Sequence, residues 1–384
     1  MNTLDMAKSV EDYVIKTRRF LHQHPEVSNQ EKNTSKLIGE ELTKMNIKFD
    51  RVDNSNCIIA YLGNDNGKCI ALRADMDALP MKEESDVEFI SQNGEAAHTC
   101  GHDAHTAMLL GAAKLLKENE DKLNGKVKLF FQEGEENLTG AKKIIEAGGL
   151  DGVDYIFALH VMDFMNTGEA SADAGYRMAG GDGIYIKFVG TAGHGSAPHL
   201  AKDSISAACS FVTSLNAIIA KMKDPQEVAV AGVGTIHAGT VGNIIPKECE
   251  LGVNVRYYNP EVQDMIHEQA KIMAESTANI FGVSAEVKSM RLITSLKNDV
   301  EFSKLAADSF AKFGKVENTK PLMSSEDFAE YLKHVPGTMG WLGFRNEDID
   351  AIYPIHHEKF KLDEACFKYG VAWHLQVVFD YLNK

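Results

Sequence analysis

Apolar residues recur at helical spacing through the first ~20 positions. The pattern stops at His24-Pro25, where the proline disfavours helical geometry in the residue before it, so a first helix ends there. Ser28-Asn29-Gln30-Glu31 has capping-box spacing and opens a second helix carrying Leu37, Ile38, Leu42 and Met45. Residues 57–63 and 68–75 are apolar and β-rich, and Asn64-Asp65-Asn66-Gly67 between them is turn chemistry, which predicts a hairpin. A helix over about 103–122, a strand over 126–132, a helix over about 139–147 and a strand over 155–161 then alternate. That alternation is the signature of right-handed crossovers and a parallel sheet.

The Gly-rich segment Ala179-Gly180-Gly181-Asp182-Gly183 marks a boundary. Beyond it the pattern reads strand 184–190, helix 204–222, strand 228–237, strand 248–257, helix 260–280 and strand 284–293. This β-α-β-β-α-β order matches the ferredoxin-like unit. The first of those helices offers the sheet a face of Ile205, Ala208, Val212, Leu215, Ile219 and Met222. Residues 181–293 are therefore expected to be an inserted α+β domain. Residues 1–180 and 294–384 form an α/β domain with a central mixed, largely parallel sheet flanked by helices, completed by a helix near 299–313, a strand near 339–344 and a helix near 363–382.

Composition narrows the classes. Of 384 residues, 40 are Lys or Arg and 55 Asp or Glu, a net charge of −15 that repels phosphate backbones and anionic headgroups, so no nucleic-acid or membrane partner is expected. The apolar runs are shorter than the ~20 residues of a membrane span. The N-terminus does not read as a signal peptide, and a cytoplasmic location is expected. The six cysteines lack CxxC spacing and read as free thiols, five of them core residues.

Chemistry-bearing residues collect at ends of the first domain's elements, where open α/β sheets hold ligands. Asp75 and Asp77 close a strand and are either turn chemistry or a metal or catalytic pair. His98, Cys100, His102 and His105 crowd one loop and helix start, a donor set suited to zinc, manganese, cobalt or nickel. A helix N-terminus favours the Cys100 thiolate. His98 and His105 are supports behind the ligands or structural residues. Glu133, Glu135 and Glu136 follow an apolar strand as either a surface turn or a metal-ligand and base pair. His160 ends another strand, and His356-His357 precedes the last helix. In the inserted domain His194 lies in a turn-rich loop, and Asn243 and Arg256 suit a carboxylate, with an interdomain salt bridge as the alternative for Arg256.

In this order, RRFLHQHPEVSNQE (18–31), ALRADMDALP (71–80), CGHDAH (100–105), FQEGEEN (131–137), ALHV (158–161), GTAGHGSAPH (190–199), GNIIP (242–246), SSEDFAEYL (324–332) and IHHEKF (355–360) resemble the metal-dependent amidohydrolase family of aminoacylases and carboxypeptidase G. Within it the sequence is most similar to the branch of hippurate hydrolases, N-acyl-amino-acid amidohydrolases and auxin-conjugate hydrolases. The resemblance implies a catalytic domain interrupted by a lid that dimerises, giving a homodimer or higher homo-oligomer. It implies a site for two divalent metal ions, zinc or manganese with cobalt or nickel as alternatives, ligated by Cys100, His102, Glu136, His160 and His356. Glu135 is implied as general base, Asp77 as a catalytic support that orients a metal ligand or tunes the site, His194 as oxyanion donor, and Asn243 and Arg256 as substrate-binding residues. The implied reaction is hydrolysis of the amide of an N-acyl-amino acid. A di- or exopeptidase, a non-catalytic metal or amino-acid binding protein and a redox sensor on Cys100 are the alternatives. The sequence departs from the branch at Glu133-Gly134 and Asn137-Leu138-Thr139, where Pro-Ala and glycines are usual.

Overall fold

The computed structural model describes residues 2–64 and 67–383. Asp65 and Asn66 of the expected turn lie outside them. The chain divides into two compact units: unit 1 holds residues through Arg177, Lys297–Lys320 and the chain from Glu326, and unit 2 holds Met178–Leu296 with Pro321–Ser325.

Unit 1 opens with α1 (Thr3–Ser9), α2 (Glu11–Gln23) and α3 (Lys32–Lys44), so the single first helix of the sequence reading is broken at Val10. Nor does the capping box form. Glu26 accepts from the Asn33 and Thr34 amides, while Ser28 donates to Asp77 and Glu31 accepts from the Gly134 amide, tertiary bonds that outcompete the local cap. Next come β1 (Lys48–Arg51), β2 (Ile58–Gly63), β3 (Lys68–Asp75), α4 (His102–Glu118), β4 (Gly125–Gln132), α5 (Gly140–Glu146), β5 (Tyr155–Asn166) and β6 (Glu169–Ser171).

Unit 2 follows with β7 (Gly180–Val189), α6 (Ser204–Met222), β8 (Ala229–Ala238), β9 (Glu248–Tyr257), α7 (Pro260–Phe281) and β10 (Ser284–Ile293). The chain closes unit 1 with α8 (Val300–Phe310), β11 (Lys315–Val316), α9 (Phe328–Tyr331), β12 (Gly337–Arg345) and α10 (Phe367–Leu382).

The unit 1 sheet runs β1-β2-β4-β3-β5-β12-β6-β11 and is mixed. β3 pairs in parallel with both β4 and β5, and β12 in parallel with β5. The expected β2–β3 hairpin is absent, because β4 inserts between the two and pairs antiparallel with β2. β3 is buried along nearly its whole length, as a strand covered on both faces must be. α4 and α10 supply cover, and α4 is apolar almost all round. At Gly340 on β12 a Cβ would stand 2.1 Å from the Trp373 ring, so only glycine lets α10 approach the sheet this closely. The outcome for function is that the ends of β3 and β4 and the middle of β5 present their residues to one side.

Unit 2 is a four-stranded antiparallel sheet, β8-β9-β7-β10, with α6 and α7 packed on one another and on its strands. α6 is long and apolar enough by length and composition alone to cross a membrane. Its Ala207, Ala208, Phe211, Leu215 and Ile219 nevertheless belong to the unit 2 core, while Ile205 and Met222 of the expected face are exposed. Cys209 is also exposed, against the expectation of a fifth core cysteine.

Buried Asp182 pins α7 to the sheet, accepting from Gln263 Nε2 (2.6 Å), His267 Nε2 (2.7 Å) and the Leu292 amide (3.1 Å). Burial alone would raise its pKa, but these donors hold it below the ordinary carboxylate value. Asp182→Asn is therefore expected to destabilise unit 2 by about 1–3 kcal/mol at neutral pH in denaturant melts. The carboxylate contribution is full above an ordinary Asp pKa of ~3.9 and is lost as pH falls through the lower folded value, so wild type and variant should converge in strong acid.

Candidate active site

Loop geometry places the donors. Gly101 precedes α4 with φ 88°, a left-handed conformation, and a Cβ there would meet Val161 Cγ2 at 2.4 Å. Glycine thus lets Cys100 and the start of α4 lie against β5. The loop after β4 turns through Gly134 (φ 61°), and Gly140 sits where a Cβ would strike the Glu133 carbonyl. His356, itself at φ 65°, is tied by its amide to the Thr99 carbonyl at 2.8 Å.

Four side chains, His102, Glu136, His160 and His356, converge on Cys100. Its Sγ lies 3.5 Å from His160 Nε2 and 3.3 Å from His356 Nε2, and the latter is 3.1 Å from Glu136 Oε1. Three ligand triplets, each with its atoms within 4.8 Å of one another, result: Cys100, His102 and His160; Cys100, Glu136 and His356; and His102, Glu135 and Glu136. Cys100 belongs to two of them, an arrangement that suits two ions sharing one sulfur. His357 turns away, stacking on Tyr353 with ring centroids 4.9 Å apart.

The backing residues orient these donors. His102 Nδ1 donates to Asp77 Oδ1 (3.1 Å) and His160 Nδ1 to the Val161 carbonyl (2.7 Å), so each ring presents Nε2 to the cluster. Asp77 also accepts from Ser28 Oγ (2.7 Å) and the Glu136 amide (3.0 Å), joining three segments behind the site. Asp75 takes no place in the Cys100 triplets. It accepts from His105 Nδ1 at 2.6 Å, and His105 Nε2 accepts from the Val161 amide at 3.0 Å. His98 is buried, and neither ring nitrogen has a hydrogen-bond partner among the described residues.

The donor set fits metal. His102 Nε2 and Glu136 Oε1 are buried without a hydrogen bond, the latter lacking hydrogen-bond geometry to His356 despite its proximity. Electrostatics point the same way. Burial works against a charged His102, yet Asp75 and Asp77 push its pKa up to about 10, so the surrounding carboxylates favour positive charge at this position. Burial, then Glu136 and Glu135, push the Cys100 thiol well above its usual value, reversing the helix-terminus expectation. Burial, followed by Glu326 and Glu136, raises Glu135 well above an ordinary carboxyl, and burial lowers His160.

The sequence matches the model of peptidase family M20/M25/M40 over residues 71–380. The chain belongs to this family. As a member it is a hydrolase of amide bonds. It is 38% identical over 382 residues to thermostable carboxypeptidase 2 of Saccharolobus solfataricus, covering 98% of this chain and 97% of the relative. It is 35% identical over 359 residues to N-acetyl-L-cysteine deacetylase of Bacillus subtilis, covering 93% and 85%. Among solved M20 structures, a Bacillus subtilis dinuclear metal-binding peptidase superposes with a TM-score of 0.87 at 31% identity, covering 98% and 99%.

Three residues singled out from the sequence stand on unit 2. His194 pairs across a short bridge with Ile244, its Nδ1 lying 2.8 Å from Ser196 Oγ, and the Gly195 amide donates to the Asn243 carbonyl at 2.8 Å. Arg256 on β9 donates to Asn254 Oδ1 at 2.6 Å and makes no ion pair among the described residues. Glu133, the departure from the M20 branch pattern, points away from Cys100. It is buried and bonded to Lys143 (2.7 Å) and the Asn56 amide (3.0 Å), holding its loop in place. The sequence motifs include Glu326 and Asp327, whose oxygens lie within 4.8 Å of Glu135, and their anchor Arg73, but gave none of the three a role. The signal available was the adjacent acidic pair Glu326-Asp327 immediately before the short helix Phe328–Tyr331.

Proposed function

We propose that the protein hydrolyses the amide of N-acyl-amino acids, releasing the free amino acid and a carboxylic acid, with two divalent ions held by Cys100, His102, Glu136, His160 and His356. The observation that carries this reading is the Cys100-centred cluster with Glu135, a carboxylate of raised proton affinity, buried beside it. The deacetylase relative acts on an acylated amino acid, which supports the acyl class of substrate. Bound at that cluster, divalent ions polarise the scissile carbonyl and lower the pKa of the attacking water.

The chain supplies the proton chemistry. Glu135 accepts the water proton on its carboxylate and delivers it to the leaving nitrogen. Asp77 keeps the His102 ring aligned through Nδ1. His194 donates to the developing oxyanion, and Asn243 and Arg256 bind the substrate carboxylate. His194→Ala should lower kcat about a hundredfold, the usual effect of losing one oxyanion donor. Retention of full turnover by that variant would remove the role. Unit 2 leaves the edge strand β8 and its Val230 and Ile236 exposed, supporting a homodimer through this unit.

The carboxypeptidase relative motivates a second reading, removal of a C-terminal residue from a short peptide. Amine release from N-acetyl and N-benzoyl amino acids alongside free dipeptides separates the two. Preference for the acylated substrates supports the proposal, and cleavage confined to dipeptides sinks it.

A further inference from the structure

General-base chemistry needs a carboxylate held still, yet Glu135 stands on a loop between β4 and α5. Among the described residues its carboxylate receives one hydrogen bond, from the Asp327 amide to Oε1 at 3.4 Å. The position of that amide is set by the side chains around it. Asp327 Oδ1 accepts from Arg73 Nη2 (2.8 Å) and Gln132 Nε2 (2.8 Å), and Oδ2 accepts from the Ala141 amide in the first turn of α5 (3.0 Å). Glu326 Oε1 accepts from the same Arg73 nitrogen (3.0 Å) and from the Phe328 amide (2.9 Å).

Arg73, 1% exposed, is the hub. Its Nη1 donates to Asp75 Oδ2 (2.5 Å) and its Nε to Gln132 Oε1 (3.0 Å), an oxygen that Tyr331 also donates to (2.9 Å). One guanidinium therefore ties the ends of β3 and β4, the start of α5 and the acidic pair before α9 into one frame. Three buried carboxylates against one cation make a poor source of stability, because desolvation offsets the attraction. Such a cluster serves better as a geometric device.

We propose that Glu326 and Asp327, anchored on Arg73, are positioning residues that hold Glu135 in register with the Cys100 cluster. This rests on the role given to Glu135 above. Misplacing a reacting group by about 1 Å costs roughly a hundredfold in rate.

The test is steady-state kinetics and metal content of metal-loaded, full-length Glu326→Gln and Asp327→Asn, each alone and combined with Glu135→Gln. Amide hydrogen exchange over residues 133–141 is followed in parallel. Each single variant should keep the wild-type metal content and a KM within about twofold, with kcat down roughly ten- to a hundredfold. Combined with Glu135→Gln, neither should lose more, since both act through the same carboxylate. Exchange protection over 133–141 should fall, most in Asp327→Asn. Full kcat in both single variants while Glu135→Gln is inactive overturns this proposal alone. Losses that multiply with that of Glu135→Gln, or that track metal loss, also overturn it. A fully active Glu135→Gln overturns the reading beneath it and this proposal with it.

Discussion

Glu135→Gln is expected to keep the wild-type metal content and to lose turnover by a factor on the order of 10²–10⁴, the range that general acid–base groups supply. The expectation follows from the division of labour on one loop. Glu136 reaches Cys100 and His356, whereas Glu135 lies by Glu326 and Asp327 and accepts from the Asp327 amide. An amide at 135 preserves shape and a carbonyl acceptor for that amide but cannot take a proton. Because burial already disfavours the charged form of Glu135, neutralising it costs the fold little. Metal analysis with single-turnover kinetics checks both halves. A metal-replete Glu135→Gln with wild-type kcat would contradict the assignment.

Cys100→Ala is expected to fail in the opposite way, by losing metal. Cys100 is the only residue common to the His102–His160 and Glu136–His356 triplets, so its removal takes a donor from both. Losing a residue that merely orients a ligand lowers affinity about 10–100-fold, and a shared ligand should cost at least that. Metal content should fall below that of the wild type, and the rise in melting temperature that metal gives the wild type should shrink with it. A metal-replete but inactive Cys100→Ala would show that the sulfur acts in the chemistry and not as a ligand.

What could be read from the sequence tracks how local the determining interactions are. The unit 2 strands and helices begin and end within a few residues of the reading, because alternating strands and amphipathic helices announce themselves over short windows. The β2–β3 hairpin failed for a non-local reason: β4 arrives later in the chain and takes the place between them. Ser28 and Glu31 have the spacing of a cap, yet bonds to Asp77 and Gly134 claim both side chains. The same distinction holds at the site. His102 and Cys100 stand out because they crowd one loop, and Asp77 because it closes a strand. Glu326 gave only a motif without a role, since its meaning depends on Arg73, 253 residues away.

Two-metal hydrolysis of acylated amino acids can be followed as amine release from an N-acetyl-amino acid while metal-stripped protein is titrated with manganese or zinc. Turnover should be absent without metal and rise to a plateau at about two ions per chain, the number that two triplets sharing Cys100 would hold. Full turnover by the stripped protein, or none from a metal-replete protein on any acylated amino acid, would contradict it.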